Sequence, residues 1–163
     1  MIQTLVYEIS PDLKEYPIET ITWENLNDYA YESFSDVSEF LRPEKMQQAI
    51  QEFLTNLKNK GFKIGYVPNP KDNMKEIPYI KSNHIAKKNY FHTRYKTLQQ
   101  KIANMTIDDF MTEGINEELH ALIDNPTTNS VCLLSEDIKT LDNFIRTMQN
   151  GKEYYIGTVL IIA

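Results

Sequence analysis

Late in the chain stands the run Val159-Leu160-Ile161-Ile162, four branched apolar residues in succession. Alternate side chains of a strand point to opposite faces, so a strand built on this run is apolar on both and fits only the interior of a sheet. The segment 154–162 therefore predicts a central strand around which the rest of the fold is organised. Three further short segments read as strands: Ile2 to Ile9, Phe62 to Val67, and Ser130 to Leu134. Pro68-Asn69-Pro70 stops the second of these, and a polar connection is expected from there to about Ser82.

Between the strands the apolar residues recur at helical spacing. From Trp23 they fall at Leu26, Ala30, Phe34, Val37 and Leu41, steps of three and four that predict a long amphipathic helix. Pro43 suits the first turn of a second helix, whose buried stripe is Met46, Ile50, Phe53, Leu54 and Leu57 and whose exit is Gly61. A third is predicted over 83–103 with Phe91, Tyr95, Leu98 and Ile102 on its inner face. Thr106 with Asp109 three residues on predicts a capped short helix through Met111, and Asn116 opens another through Ile123. Ser135 caps a last helix facing inward with Ile138, Leu141, Ile145 and Met148, and Gly151 marks its end.

Helical and strand segments in this order imply an α+β fold: a small mixed sheet of about four strands packed against several helices, in one domain over 1–163. The last strand, helix and strand would form a right-handed crossover if the two strands neighbour in parallel. A chain of 163 residues can bury one core of useful size. Its single cysteine, Cys132, rules out an intramolecular disulfide and suits a reducing compartment. Cys132 lies in an apolar run, where burial would leave it inert. The N-terminal residues show no basic-then-apolar leader, and no stretch reaches the roughly 20 apolar residues of a membrane span, so a cytoplasmic protein is expected.

The net charge of −6 averages over strong zoning. Residues 1–42 carry nine acids and two bases, residues 56–101 eleven bases and two acids, and residues 102–163 ten acids and three bases. Two candidate surfaces follow. Glu24, Asp28, Glu32, Asp36 and Glu39 form an acidic ladder opposite the apolar face of the first helix, with no Lys or Arg anywhere in 15–41. Like charges at this spacing repel by a few tenths of a kcal/mol per pair, a departure from what stability alone would select. On the third helix Lys87, Arg94 and Lys101 recur every seven residues, with Lys88 and Lys96 on the flank and aromatics interleaved. Basic side chains beside aromatic rings are what single-strand nucleic-acid binders use, although an isoelectric point near 5.1 runs against it.

No nucleophile elbow, phosphate loop, dinucleotide fingerprint or zinc-helix motif occurs. His84 and His92 are eight apart and cannot pair on one helical face, whereas His120 has Glu117 and Asp124 within a turn. No cofactor or metal is expected. The sequence favours a non-enzymatic binding protein, a regulator or inhibitor of the kind phages and mobile elements carry. Its acidic ladder would engage the basic surface of a nucleic-acid-handling protein by mimicking a phosphate backbone. Direct nucleic-acid binding through the basic helix is the alternative, an enzyme with a dispersed site the third reading, and pairing of acidic and basic faces between two copies is open.

Overall fold

The computed structural model describes residues 4–14, 37–40, 43–124, 130–133 and 138–162. Strand β7 (Glu153–Ile162) lies inside the sheet, as its doubly apolar run requires. One edge pairs antiparallel with β1 (Thr4–Ser10), from Thr4 opposite Ile162 to Ser10 opposite Tyr155. The other edge is shared by two strands: β4 (Asp72–Lys81) takes residues 153–155 and β2 (Val37–Phe40) takes residues 160–162. Beyond β4 the sheet is completed by β3 (Lys63–Asn69) in an antiparallel hairpin. Beyond β1 come β5 (Ser130–Leu133), parallel to β1, and β6 (Ile138–Thr140), antiparallel to β5. The fold is α+β with a mixed sheet.

The helices cover one sheet face. Helix α1 (Pro43–Asn59) buries Phe53, Leu54 and Leu57 against it, with the Phe53 ring stacked 4.3 Å from that of Tyr7. Gly61 (φ +103°) closes this helix in a Schellman motif: the Phe62 amide donates to the Leu57 carbonyl and the Gly61 amide to that of Lys58. Helix α5 (Leu141–Thr147) presses Phe144, Ile145 and the following Met148 into the same core, beside Tyr154 and Ile156 of β7. Helix α2 (His84–Asn104), capped by Asn83, has only Ala86 fully buried; at about 1.5 Å per residue its 21 residues run well past the sheet. Its far end carries the short α3 (Ile107–Phe110) and α4 (Ile115–Ile123) as an outlying helical arm. Among the described residues no helix is long and apolar enough to cross a membrane.

All four expected strands are present, and three more join them. Strand β4 falls in the stretch expected to be a polar connection: Lys71, Asp72, Lys75 and Glu76 hide it, and Pro78 argues against a strand. The proline is tolerated because β7 pairs with β4 only at Tyr79–Lys81, leaving that edge of β4 free at Pro78. Val37–Phe40, expected as the last turn of the first long helix, is instead strand β2. The open edge of β7 offers a backbone ladder there, and pairing overrides the helical spacing. Ile138 likewise sits in β6, and Thr140 caps α5 through the Asn143 amide. Gly114, not Asn116, holds the cap position of α4. The crossover condition is not met, because β1 lies between β5 and β7 and the two run antiparallel.

Candidate functional site

The basic stripe of α2 faces inward, and each member has a partner. Lys87 Nζ donates to the Met148 carbonyl at 2.5 Å and reaches that of Arg146 at 3.4 Å, capping the C-terminal end of α5. Two turns on, Arg94 grips Asp142 in the first turn of α5 with both guanidinium nitrogens, at 2.5 and 2.9 Å. The Tyr90 hydroxyl donates to the same carboxylate at 2.9 Å. Cation at the C-terminus and carboxylate at the N-terminus both suit the α5 dipole. Farther out, Lys101 pairs with Glu118 of α4 at 2.8 Å. The seven-residue spacing that suggested a nucleic-acid stripe is therefore the spacing that fastens α2 to α5 and α4. Lys88 and Lys96 alone of the five stay exposed, which removes most of the charge from the alternative reading.

The Asp142 carboxylate has no solvent exposure. The bond that Arg94 donates to Asp142 raises the pKa of its guanidinium against the opposing effect of burial, while burial and the adjacent carboxylate push the Tyr90 phenol well above its ordinary range. Phe91 lies between two guanidiniums, 5.2 Å from Arg94 and 4.7 Å from Arg146. Arg146 also donates to the Ile123 carbonyl and approaches Asp124 at 3.8 Å, tying the end of α4 to α5. These groups bond to one another across α2, α4 and α5, so this cluster is a fastening.

Of the acidic ladder, Glu24, Asp28, Glu32 and Asp36 lie outside the described residues. Glu39 is in β2 opposite Ile161, so it does not continue a helical ladder. His84, His92 and His120 are all exposed, and among the described residues no three His, Cys, Asp or Glu side chains are grouped to hold a metal ion. Cys132 is in β5, as expected.

The arm is what the sequence did not single out. Tyr95 and Ile102, expected inside, are 55% and 57% exposed, because the second half of α2 has left the sheet behind. On α3 and its cap, Ile107, Phe110 and Met111 are 70%, 62% and 74% exposed. Spaced i, i+3 and i+4, they share one helical face. Around them, residues 106–124 hold six acids and no Lys or Arg. Glu118 is paired and Asp124 lies near Arg146, while Asp109 closes a reciprocal capping box with Thr106 that lowers its pKa. Asp108, Glu113 and Glu117 have no ion-pair partner among the described residues. Between the arm and α2 opens a groove of about 560 Å³, lined by Asn104, Met105, Asp109, Glu113 and the Lys101–Glu118 pair. Nothing local announces this: a short helix with Ile107, Phe110 and Met111 on one face reads the same whether that face is covered or not.

No protein-family model, curated protein or solved structure matches the chain.

Burial also makes the fold sensitive to alkali. Tyr7 and Tyr155 are pushed up to about 12, Tyr7 by desolvation and the Glu52 charge, Tyr155 by desolvation and its bond to Glu153. An acid that keeps its proton longer when folded stabilises the fold below its unfolded pKa, here 10, and that stability is lost as pH climbs toward 12. Phenolate absorbance should show a late-titrating class that shrinks in Tyr7→Phe; normal titration of all ten tyrosines would contradict the burial described.

Proposed function

We propose that this protein is a binding module that captures a basic, amphipathic segment of a partner protein on the acidic and apolar surface of its helical arm. One observation carries the reading: three large apolar side chains of a single short helix and its cap stand mostly in solvent beside Asp108, Glu113 and Glu117, which have no ion-pair partner among the described residues. Exposed apolar area of this kind, rimmed by charge, marks interaction surfaces. The rim selects the partner's sign and speeds encounter, while the Ile107, Phe110 and Met111 face supplies the desolvated contact. A basic surface is also what nucleic-acid-handling proteins present, so a regulator or inhibitor of such a protein remains the role proposed, with the arm as its binding element.

The test uses a fluorescein-labelled helical peptide of Leu and Lys, with leucines at i, i+3, i+4 and i+7. The wild type should bind it, more weakly as salt rises. Phe110→Asp should abolish binding, and joint reversal of Asp108, Glu113 and Glu117 to Lys should weaken it at least tenfold with the fold retained by circular dichroism. Reversal of Glu24, Asp28 and Glu32 to Lys measures the share of the N-terminal ladder. Full binding by the Phe110→Asp protein would sink the arm as the site.

A further inference from the structure

The sheet face turned away from the helices carries a second, unrelated feature at the β3, β4 and β7 corner. Cross-strand partners share a face, which places Gly65, Tyr79 and Tyr155 in one row and Lys63, Lys81 and Glu153 in the next. Gly65 decides the shape. A Cβ built there would lie 2.3 Å from the Tyr79 Cζ and Oη atoms, so the phenol ring is laid down over the bare backbone of β3. Tyr155 stands beside it edge-on, centroids 6.1 Å apart and planes at 70°. A flat ring with an upright wall results, and both tyrosines are partly buried, with a lesser part of each left to solvent.

The adjoining row is basic in a way that stability does not favour. Lys63 and Lys81 are directly opposite each other, a like-charge pairing that destabilises a ladder. Lys63 is exposed; the Lys81 ammonium is 5.9 Å from the Tyr79 centroid and 3.7 Å from Glu153, both loose contacts. The carboxylate of Glu153 is occupied by the Tyr155 hydroxyl at 2.5 Å. Lys58 and Lys60 stand exposed just before β3, and Lys71 and Lys75 at the far end of the hairpin.

We propose that this corner binds single-stranded nucleic acid, one unpaired base stacking on Tyr79 against Tyr155 while flanking phosphates meet Lys63 and Lys81. A polyanion relieves the Lys63–Lys81 repulsion, and an aromatic platform beside lysines takes a base of any sequence by its π-face. A duplex, whose bases are already stacked, cannot use the ring. The nucleic-acid surface is thus moved from the basic helix, whose stripe Lys87, Arg94 and Lys101 is paired within the fold, to the sheet. This site stands apart from the arm.

Fluorescence anisotropy with a labelled single-stranded oligothymidylate tests it, with the same strand in a duplex and inorganic polyphosphate as competitors. Binding of the single strand is expected, with duplex and polyphosphate competing poorly. Tyr79→Ala should weaken it roughly 5- to 150-fold, the range for one stacked base. Tyr79→Phe, which keeps the ring on Gly65, should bind as the wild type does. Lys63→Glu, at an exposed position that does not threaten the fold, should weaken binding and flatten its salt dependence. Phe110→Asp should leave it unchanged, so failure here and failure of the arm are separate results. Equal competition by polyphosphate, an unaffected Tyr79→Ala protein, or no binding by the wild type would each overturn the proposal.

Discussion

Arg94→Ala should cost about 3–5 kcal/mol of stability, because it strips the guanidinium from a buried carboxylate and leaves the charge stranded. Asp142 is fully buried and receives two charge-assisted hydrogen bonds from Arg94; the neutral Tyr90 hydroxyl, which also donates to it, does not replace that charge. In urea the transition midpoint should fall sharply, and amide exchange should quicken first in the second half of α2 and in α4, since Arg94 is where that helix is fastened to the body. Replacing the pair together, Arg94→Met with Asp142→Leu, should recover most of the loss, as apolar substitutes for buried ion pairs often do. A loss under about 1 kcal/mol for Arg94→Ala alone would show that the carboxylate is held without the guanidinium.

Phe144→Ala is the second large effect, at about 3–5 kcal/mol for a buried aromatic whose cavity can close only in part. Phe144 is 1% exposed and meets Tyr154 of β7 edge-to-face at 5.4 Å. For a chain of this size the loss corresponds to roughly 6–20 °C in the thermal midpoint. The two variants fail differently. Without Phe144 the helix α5 loosens from the sheet and carries α2 with it, so exchange should rise in both helices and in β7 together. A change confined to α5 would mean that α2 has its own hold on the sheet.

The central position of β7 was legible because Val159 to Ile162 is apolar without alternation, and α1 because its stripe and its glycine exit agree. Strand β4 was hidden by charges at its turn end and by Pro78, whose tolerance depends on where β7 stops pairing. β2 was not legible, because its spacing fits a helix and only the open edge of β7 makes it a strand. The basic stripe of α2 was legible as a stripe but its partner was not: periodicity lies in the segment itself, whereas whether a face meets solvent or Asp142 depends on a residue 48 positions away. The arm escaped notice because exposure of Phe110 and Met111 follows from the length of α2 relative to the sheet. The pairing of Tyr79 with Gly65 and Tyr155 is a matter of register, which no single segment encodes.

Because β7 zips the sheet together, the order in which the chain is made matters. Of the strands of this sheet β1 is made first, yet the partner that runs along its full length, ending with Thr4 opposite Ile162, arrives only after about 140 more residues. At about 5–20 residues per second, a nascent β1 waits roughly 7–30 s with that edge unsatisfied. Contacts of such sequence separation also close slowly once both strands exist. Newly made chains of this protein therefore pass through an interval in which an apolar, hydrogen-bond-hungry strand is on offer to any neighbour, and shielding of that strand during synthesis should govern the yield of folded molecules.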